Sequence, residues 1–377
     1  MPDKPIPSGP DEAPTHAPPA PAGSQARNLT LGAIVFIAAL LLLLGATRIV
    51  EPAGLEPGGS SSAGVAPGAS GTPGPGTSAA PAPALSSNGP SASAGFEPSG
   101  SSGAFSPPAA IGDPVLVGAG DIGDCASDGD EKTAALLDGT DGTVFTAGDN
   151  AYQKGSAQEF RDCYAPNWGR HLARTRPAPG NHDWERDGLA GYLGYFGASA
   201  QGPDGSSWYS YDLGTWHVIV LDSTCAKVGG CDPVSAQGQW LARDLAASNA
   251  RCTLAIFHHP RFSSGEHGDL REMDAFWRPL YAAGVDVIVN GHDHDYERFA
   301  PQDPDGRADP DRGIRQFVVG TGGTRLRNFP RVAPNSDVRL QGGFGVLKFT
   351  LHDGSYDAEF IAAGNDFRDR GTALPCH

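Results

Sequence analysis

The 377-residue chain is short of positive charge: 27 Lys and Arg stand against 43 Asp and Glu, a formal net charge of −16, and nothing gathers the basic side chains into a stripe. Surfaces that bind nucleic acid neutralise phosphates with clustered Lys and Arg, so no nucleic-acid binding is expected. Internal repeats are absent, and the six cysteines (Cys125, Cys163, Cys225, Cys231, Cys252, Cys376) lack zinc-ribbon spacing. Core-forming residues are scarce in two early segments. Residues 1–28 are rich in Pro, Ala and acidic side chains, and residues 51–110 are almost wholly Gly, Pro, Ser and Ala. Neither composition buries enough apolar surface to offset the entropy of ordering. The first reads as a disordered tail and the second as a flexible linker.

Between them lies one long apolar run, LTLGAIVFIAALLLLLGA, uncharged and apolar on every face. It is about long enough to span a bilayer and long for a cleavable signal, so residues 29–50 read as a transmembrane anchor. Everything able to fold then lies in residues 111–377, which suits one large domain or a pair of sheets. All six cysteines fall there, and an even count beyond a membrane segment favours disulfides in an oxidising compartment. The expected location is a membrane-anchored domain outside the cytoplasm. The short Gly-containing loop between Cys225 and Cys231 favours that pair; Cys125 with Cys163 and Cys252 with Cys376 follow by elimination, although spacing alone does not fix connectivity.

Strands alternate with helical segments along this region. VLVGAG, TVFTAGDN, TLAIFHHP and VDVIVNGHDH read as buried strands, and EKTAALLDG, QWLARDLAAS and DLREMDAFWRPLYAAG as helices. Ser156 and Glu159 have capping-box spacing, so a helix starts there. WYSYD and TWHVIVLD form a hairpin, and IRQFVVGTGG, FGVLKFTLHD and SYDAEFIAA close the chain as strands. The fold class is α/β with mixed sheets.

Five polar clusters each follow an apolar run: GAGDIGD, TAGDNAY, PGNHD, IFHHP and NGHDH. In open α/β sheets the crevice at the carboxyl ends of strands binds ligands, so the clusters can converge. Their hard oxygens and imidazoles suit iron, zinc or manganese. In order, DIG at 121–123, GDNAY at 148–152, GNHD at 180–183, HHP at 258–260 and GHDH at 291–294 resemble the five motifs of purple acid phosphatases within the calcineurin-like metallophosphoesterases. The resemblance covers Val115 to about Ala363 and none of the first 110 residues.

It implies an αββα sandwich of two mixed sheets flanked by helices, and hydrolysis of phosphate monoesters with two metal ions. Asp121, Asp149, Tyr152 and His294 would hold Fe(III), with Asp149 bridging to a divalent ion (Zn, Mn or Fe) held also by Asn181, His258 and His292. Neighbouring strand side chains face opposite ways, so one of His258 and His259 reaches the metals. The family pattern selects His258, and a bulge would swap them. His182 and His267 match the substrate-side histidines, for phosphate contact and general acid catalysis. Asp124, Asp183, Asp293, Asp295, Tyr296, Glu297 and Arg298 are expected to orient the ligands, and Trp184 to line the pocket. Selectivity is assigned to the loops ASAQGPDGSSWYS and PQDPDGRADPDRG. The partner is a small phosphorylated substrate, with the membrane reached through the N-terminal helix; oligomeric state is open. Two alternatives stay open: a phosphodiesterase or nucleotidase of the same superfamily, and a non-catalytic surface binding protein.

Overall fold

The computed structural model describes residues 112–377, so the tail, anchor and linker lie outside the described residues. Among the described residues no helix is long and apolar enough to cross a membrane.

Two mixed sheets form the centre. The first has the order β13-β12-β11-β1-β2-β3, built from β1 (Val115–Ala119), β2 (Thr143–Ala147), β3 (Thr175–Ala178), β11 (Gly345–His352), β12 (Ser355–Ala362) and β13 (Arg368–Pro375). The second runs β10-β8-β9-β7-β6-β5-β4, from β4 (Tyr209–Leu213), β5 (Trp216–Val220), β6 (Cys252–Ile256), β7 (Val287–Asn290), β8 (Tyr296–Phe299), β9 (Arg315–Val319) and β10 (Ser336–Leu340). β1, β2 and β3 are parallel, as are β5, β6, β7 and β9. Antiparallel pairing with β11 turns the first sheet into a mixed one.

The sequence pattern explains which strands lie inside. Parallel strands with both faces covered read as continuous apolar runs, and every residue of WHVIV in β5 is buried. In β12 burial alternates instead, with Tyr356, Ala358, Phe360 and Ala362 inward, as expected for a sheet with one wet face. Val218, Val220, Leu254, Ile256, Val289, Phe317 and Val319 of the second sheet share a core with Leu116, Val144, Leu347 and Phe349 of the first. The rings of Phe317 and Phe349 meet edge to face at 5.5 Å across that layer. The alternate residues Ile219, Ala255, Ile288 and Val318 face the other way. They pack against Leu241 of the helix α3 (Ala236–Ala247) and Phe276, Trp277 and Leu280 of α4 (Asp274–Ala282). Each such large side chain contributes about 1.5–3 kcal/mol on burial.

On the first sheet, α1 (Gly129–Asp138) buries Ala134 and Leu137, and α2 (Ala190–Phe196) buries Tyr192 and Phe196. The expected helix does begin at Ser156, where the serine and Glu159 form a capping box. It lasts one turn, passes into a wider π-turn over Phe160–Tyr164, and re-forms as a tight 3-10 helix over Trp168–Arg174. Cys163 in the π-turn is tied to Cys125, and disulfides also join Cys225 to Cys231 and Cys252 to Cys376.

Candidate metal centre and its cleft

Each of the five clusters places a predicted ligand just past the carboxyl end of a parallel strand: Asp121 after β1, Asp149 after β2, Asn181 after β3, His258 after β6 and His292 after β7. The backbone turns sharply there. Asp121, Asp149 and His292 have φ of 61°, 50° and 72°, a left-handed conformation that costs a non-glycine residue about 1–3 kcal/mol. Strain kept at three of the predicted ligands marks the loops as shaped for a task. Glycines admit the close approaches: a Cβ on Gly148, itself at φ 86°, would lie 2.5 Å from His258 Nδ1, and one on Gly180 would lie 2.2 Å from Asp149 Oδ1.

The side chains then converge as two overlapping groups. In one, Tyr152 Oη donates to Asp121 Oδ1 at 2.7 Å and lies 3.3 Å from His294 Nε2, which is itself 3.3 Å from Asp121 Oδ1. In the other, His258 Nε2 lies 3.1 Å from Asn181 Oδ1 and 3.3 Å from His292 Nδ1. Asp149 belongs to both, its Oδ2 being 3.1 Å from Tyr152 Oη and 3.1 Å from His258 Nε2. All seven predicted ligands are brought together.

The donor chemistry calls for cations here. His258 Nδ1 donates to the Ala147 carbonyl at 2.9 Å and His294 Nδ1 to that of Arg325 at 2.8 Å. A proton fixed on Nδ1 leaves the Nε2 lone pair of each ring aimed at buried carboxylate and phenol oxygens, the tautomer a metal-bound imidazole needs. Burial alone would lower the His258 pKa, yet the Asp149 carboxylate beside it, helped by Asp121, raises it to about 9. Burial would raise Asp149, but the charges of His258, His182 and His292 hold it well below the carboxylate range. The Tyr152 phenol is pushed far up by burial and by Asp121 and Asp149. It becomes phenolate only against a nearby positive charge. These residues fit a pair of metal ions.

His259 is a different case. β6 ends at Ile256, so strand alternation no longer separates the two histidines. The His259 ring packs 4.5 Å from that of His292 and its Nδ1 meets Ser223 Oγ at 2.8 Å. Burial and the charge of His258 push its pKa down to about 3. His182, by contrast, is part exposed: its amide donates to Asp149 Oδ1 at 2.8 Å, its Nδ1 to the Gln153 carbonyl at 2.6 Å, and its Nε2 stands 3.9 Å from Asp149 Oδ2. His267 stacks on His292, ring centres 4.2 Å apart, and its Nε2 is in contact with Arg327 Nη1.

Several supporting residues act otherwise than the sequence implies. The metal-side imidazoles donate to backbone carbonyls and not to the acidic residues of GHDHDYERF. Asp293 instead binds Ser263 Oγ and the His267 amide, and Glu297 binds Ser264, so both hold the loop that carries His267. Tyr296 and Arg298 reach Asp369 on β13, away from the ligands. Asp183 does tie two motif loops, accepting from the amides of Asn150 and Gly180, and burial with the charge of Asp149 raises it to about 7. The carboxylate oxygens of Asp295 are buried without a hydrogen-bond partner among the described residues, and burial with Asp293 and Glu297 raises the group far above the usual carboxylate range.

A cleft of about 1310 Å³ opens over the centre, lined by Tyr152, His182 and His294 and walled by Asp124–Asp128 and Thr324–Asn328. The sequence reading missed these walls. Trp184 turns away to donate to Asp222 Oδ2 at 3.0 Å. The loop at 301–313 packs on α4 through Arg278–Asp305 and Tyr281–Asp309, and the loop at 198–210 borders a separate groove with Arg176. Loops without alternation carry no signal of which wall they join. The paired arginines of TRLR beside a Gly-Thr-Gly-Gly turn were the available hint.

The profile of the calcineurin-like phosphoesterases matches residues 114–296. Purple acid phosphatase 21 of Arabidopsis thaliana is 29% identical over 254 residues, covering 58% of this chain and 57% of that protein. An uncharacterized protein of Mycobacterium tuberculosis is 32% identical over 241 residues, covering 52% and 44%. The chain thus spans about half the length of the curated relatives it matches. A purple acid phosphatase from yellow lupin seeds shares the fold, with a TM-score of 0.53 at 20% identity over 68% of this chain and 53% of that one. With the ordered motifs gathered at one centre, residues 114–296 match the calcineurin-like phosphoesterases, and the chain is similar to purple acid phosphatases.

Proposed function

We propose that the protein hydrolyses phosphate monoesters with a dinuclear centre of Fe(III) and a divalent ion, in a domain held outside the cytoplasmic membrane by residues 29–50. Asp121, Asp149, Tyr152 and His294 would hold the ferric ion, and Asn181, His258 and His292, with Asp149, the divalent one. The observation that carries this reading is Asp149 Oδ2, equidistant at 3.1 Å from Tyr152 Oη and His258 Nε2. When bound, two such ions supply an activated water and positive charge against the phosphoryl oxygens. The chain's own groups do the rest. Tyr152 is a hard phenolate donor that favours the ferric state. His182 lines the cleft with Nε2 3.9 Å from Asp149 Oδ2 and would give a proton to the leaving oxygen. His267, stacked on His292, offers its ring edge to the phosphate. Three disulfides support an oxidising compartment for this domain.

The test is Asp149→Ala. Metal analysis should show both ions lost, and turnover of p-nitrophenyl phosphate should vanish. A variant that keeps full turnover refutes the assignment. Comparing rates on the bis ester separates a monoesterase from a diesterase.

A further inference from the structure

The segment Thr324–Asn328 is hooked onto the metal centre from both sides of His294. Arg325 offers its carbonyl to His294 Nδ1 at 2.8 Å, and the Arg327 amide donates to the His294 carbonyl at 2.9 Å. This double tie fixes where the Arg327 side chain starts. The guanidinium lines the cleft, and Nη1 meets His267 Nε2. Nη1 donates to the His267 Nε2 lone pair, which holds the guanidinium beside the stacked His267 and His292 rings.

The chain offers many carboxylates, and neighbouring arginines use them: Arg331 pairs with Asp269 at 3.0 Å and Arg298 with Asp369 at 2.8 Å. Arg327 pairs with no carboxylate among the described residues, though Glu266 borders the same cleft. We infer that Arg327 binds the phosphate of the substrate and, by adding a fixed positive charge, selects the dianion of a monoester over the monoanion of a diester. The planar fork of Arg matches two phosphoryl oxygens at once, which an ammonium cannot do. This inference rests on the phosphoesterase reading and assigns to one residue the preference that reading leaves unexplained.

The experiment uses the full metal-loaded chain with Arg327→Ala and Arg327→Lys. Inorganic phosphate binding is measured by calorimetry, and kcat and KM are measured for p-nitrophenyl phosphate and its bis ester. Loss of a charge-assisted contact should weaken phosphate binding about tenfold or more. The monoester kcat/KM should fall by a similar factor, mostly through KM, while the diester changes far less; Lys should restore part of the loss. Unchanged phosphate affinity overturns the inference. So does an equal fall in kcat for both esters, which would make Arg327 only a support for His267. Wild-type protein that binds phosphate but cleaves neither ester would sink the hydrolase reading, while the binding comparison still judges Arg327.

Discussion

At the scale of single residues the centre is built from conflicts that only cations resolve. Lone pairs of His258 and His294 are pinned toward carboxylates by carbonyl bonds on the far side of each ring. His258→Ala should therefore lower metal content, and His259→Ala should lower it less, because His258 Nε2 touches Asp149 and Asn181 whereas the only hydrogen bond of the His259 ring among the described residues is from Nδ1 to Ser223; metal content of the two variants decides. His182→Ala removes the proposed proton donor and should lower kcat by about 10²–10⁴ on an alkyl phosphate. The fall should be smaller on p-nitrophenyl phosphate, whose leaving group needs no proton. Equal losses on both would assign His182 to phosphate binding instead.

Among the elements, legibility in the sequence followed burial. The runs VLVGA, TVFTA, CTLAI and VIVN are strands because parallel strands inside a sandwich need apolar side chains on both faces. β8, β10 and β13 escaped notice for the complementary reason. β10 and β13 are edge strands, β10 half-buried and β13, RDRGTALP, largely exposed, so neither carries a buried alternation; β8 follows the motif GHDH so closely that its polar letters read as chemistry. The helix expected from Ser156 had its cap right and its continuation wrong, since Cys163 and Trp168 are drawn to tertiary partners in Cys125 and Thr133. His217 in β5 shows an element pinned by charge. It bonds Asp212 at 3.0 Å and Asp244 of α3 at 2.9 Å. Burial opposes a proton there, but the two aspartates outweigh it and raise the pKa above the ordinary value. A raised folded pKa gives stability that is complete below about 6.5, the unfolded value, and is lost as pH rises through the folded one. Thermal melts should thus fall with rising pH in that window, and His217→Asn should flatten the dependence.

For the molecule as a whole, the three disulfides differ in reach. Cys252–Cys376 spans a sequence separation of 124 and anchors the chain end to β6, whereas Cys225–Cys231 spans 6. On loop entropy the first should stabilise by about 5 kcal/mol and the second by about 2 kcal/mol. Denaturant titration of Cys252→Ser/Cys376→Ser against Cys225→Ser/Cys231→Ser should show that order; the reverse would mean that native-state strain or residual structure dominates.

The sequence by itself determined the α/β class, the alternation of buried strands with helices, and the seven ligand candidates, because each motif is a short polar signal at the end of an apolar run. Tertiary structure alone decided which walls enclose the cleft, that backbone carbonyls orient the imidazoles, and that Arg327 stands beside His267. Those contacts join residues 111 positions apart in sequence between Ala147 and His258 and 200 apart between Asp124 and Thr324, and no local pattern of letters records which loops chain folding will bring face to face.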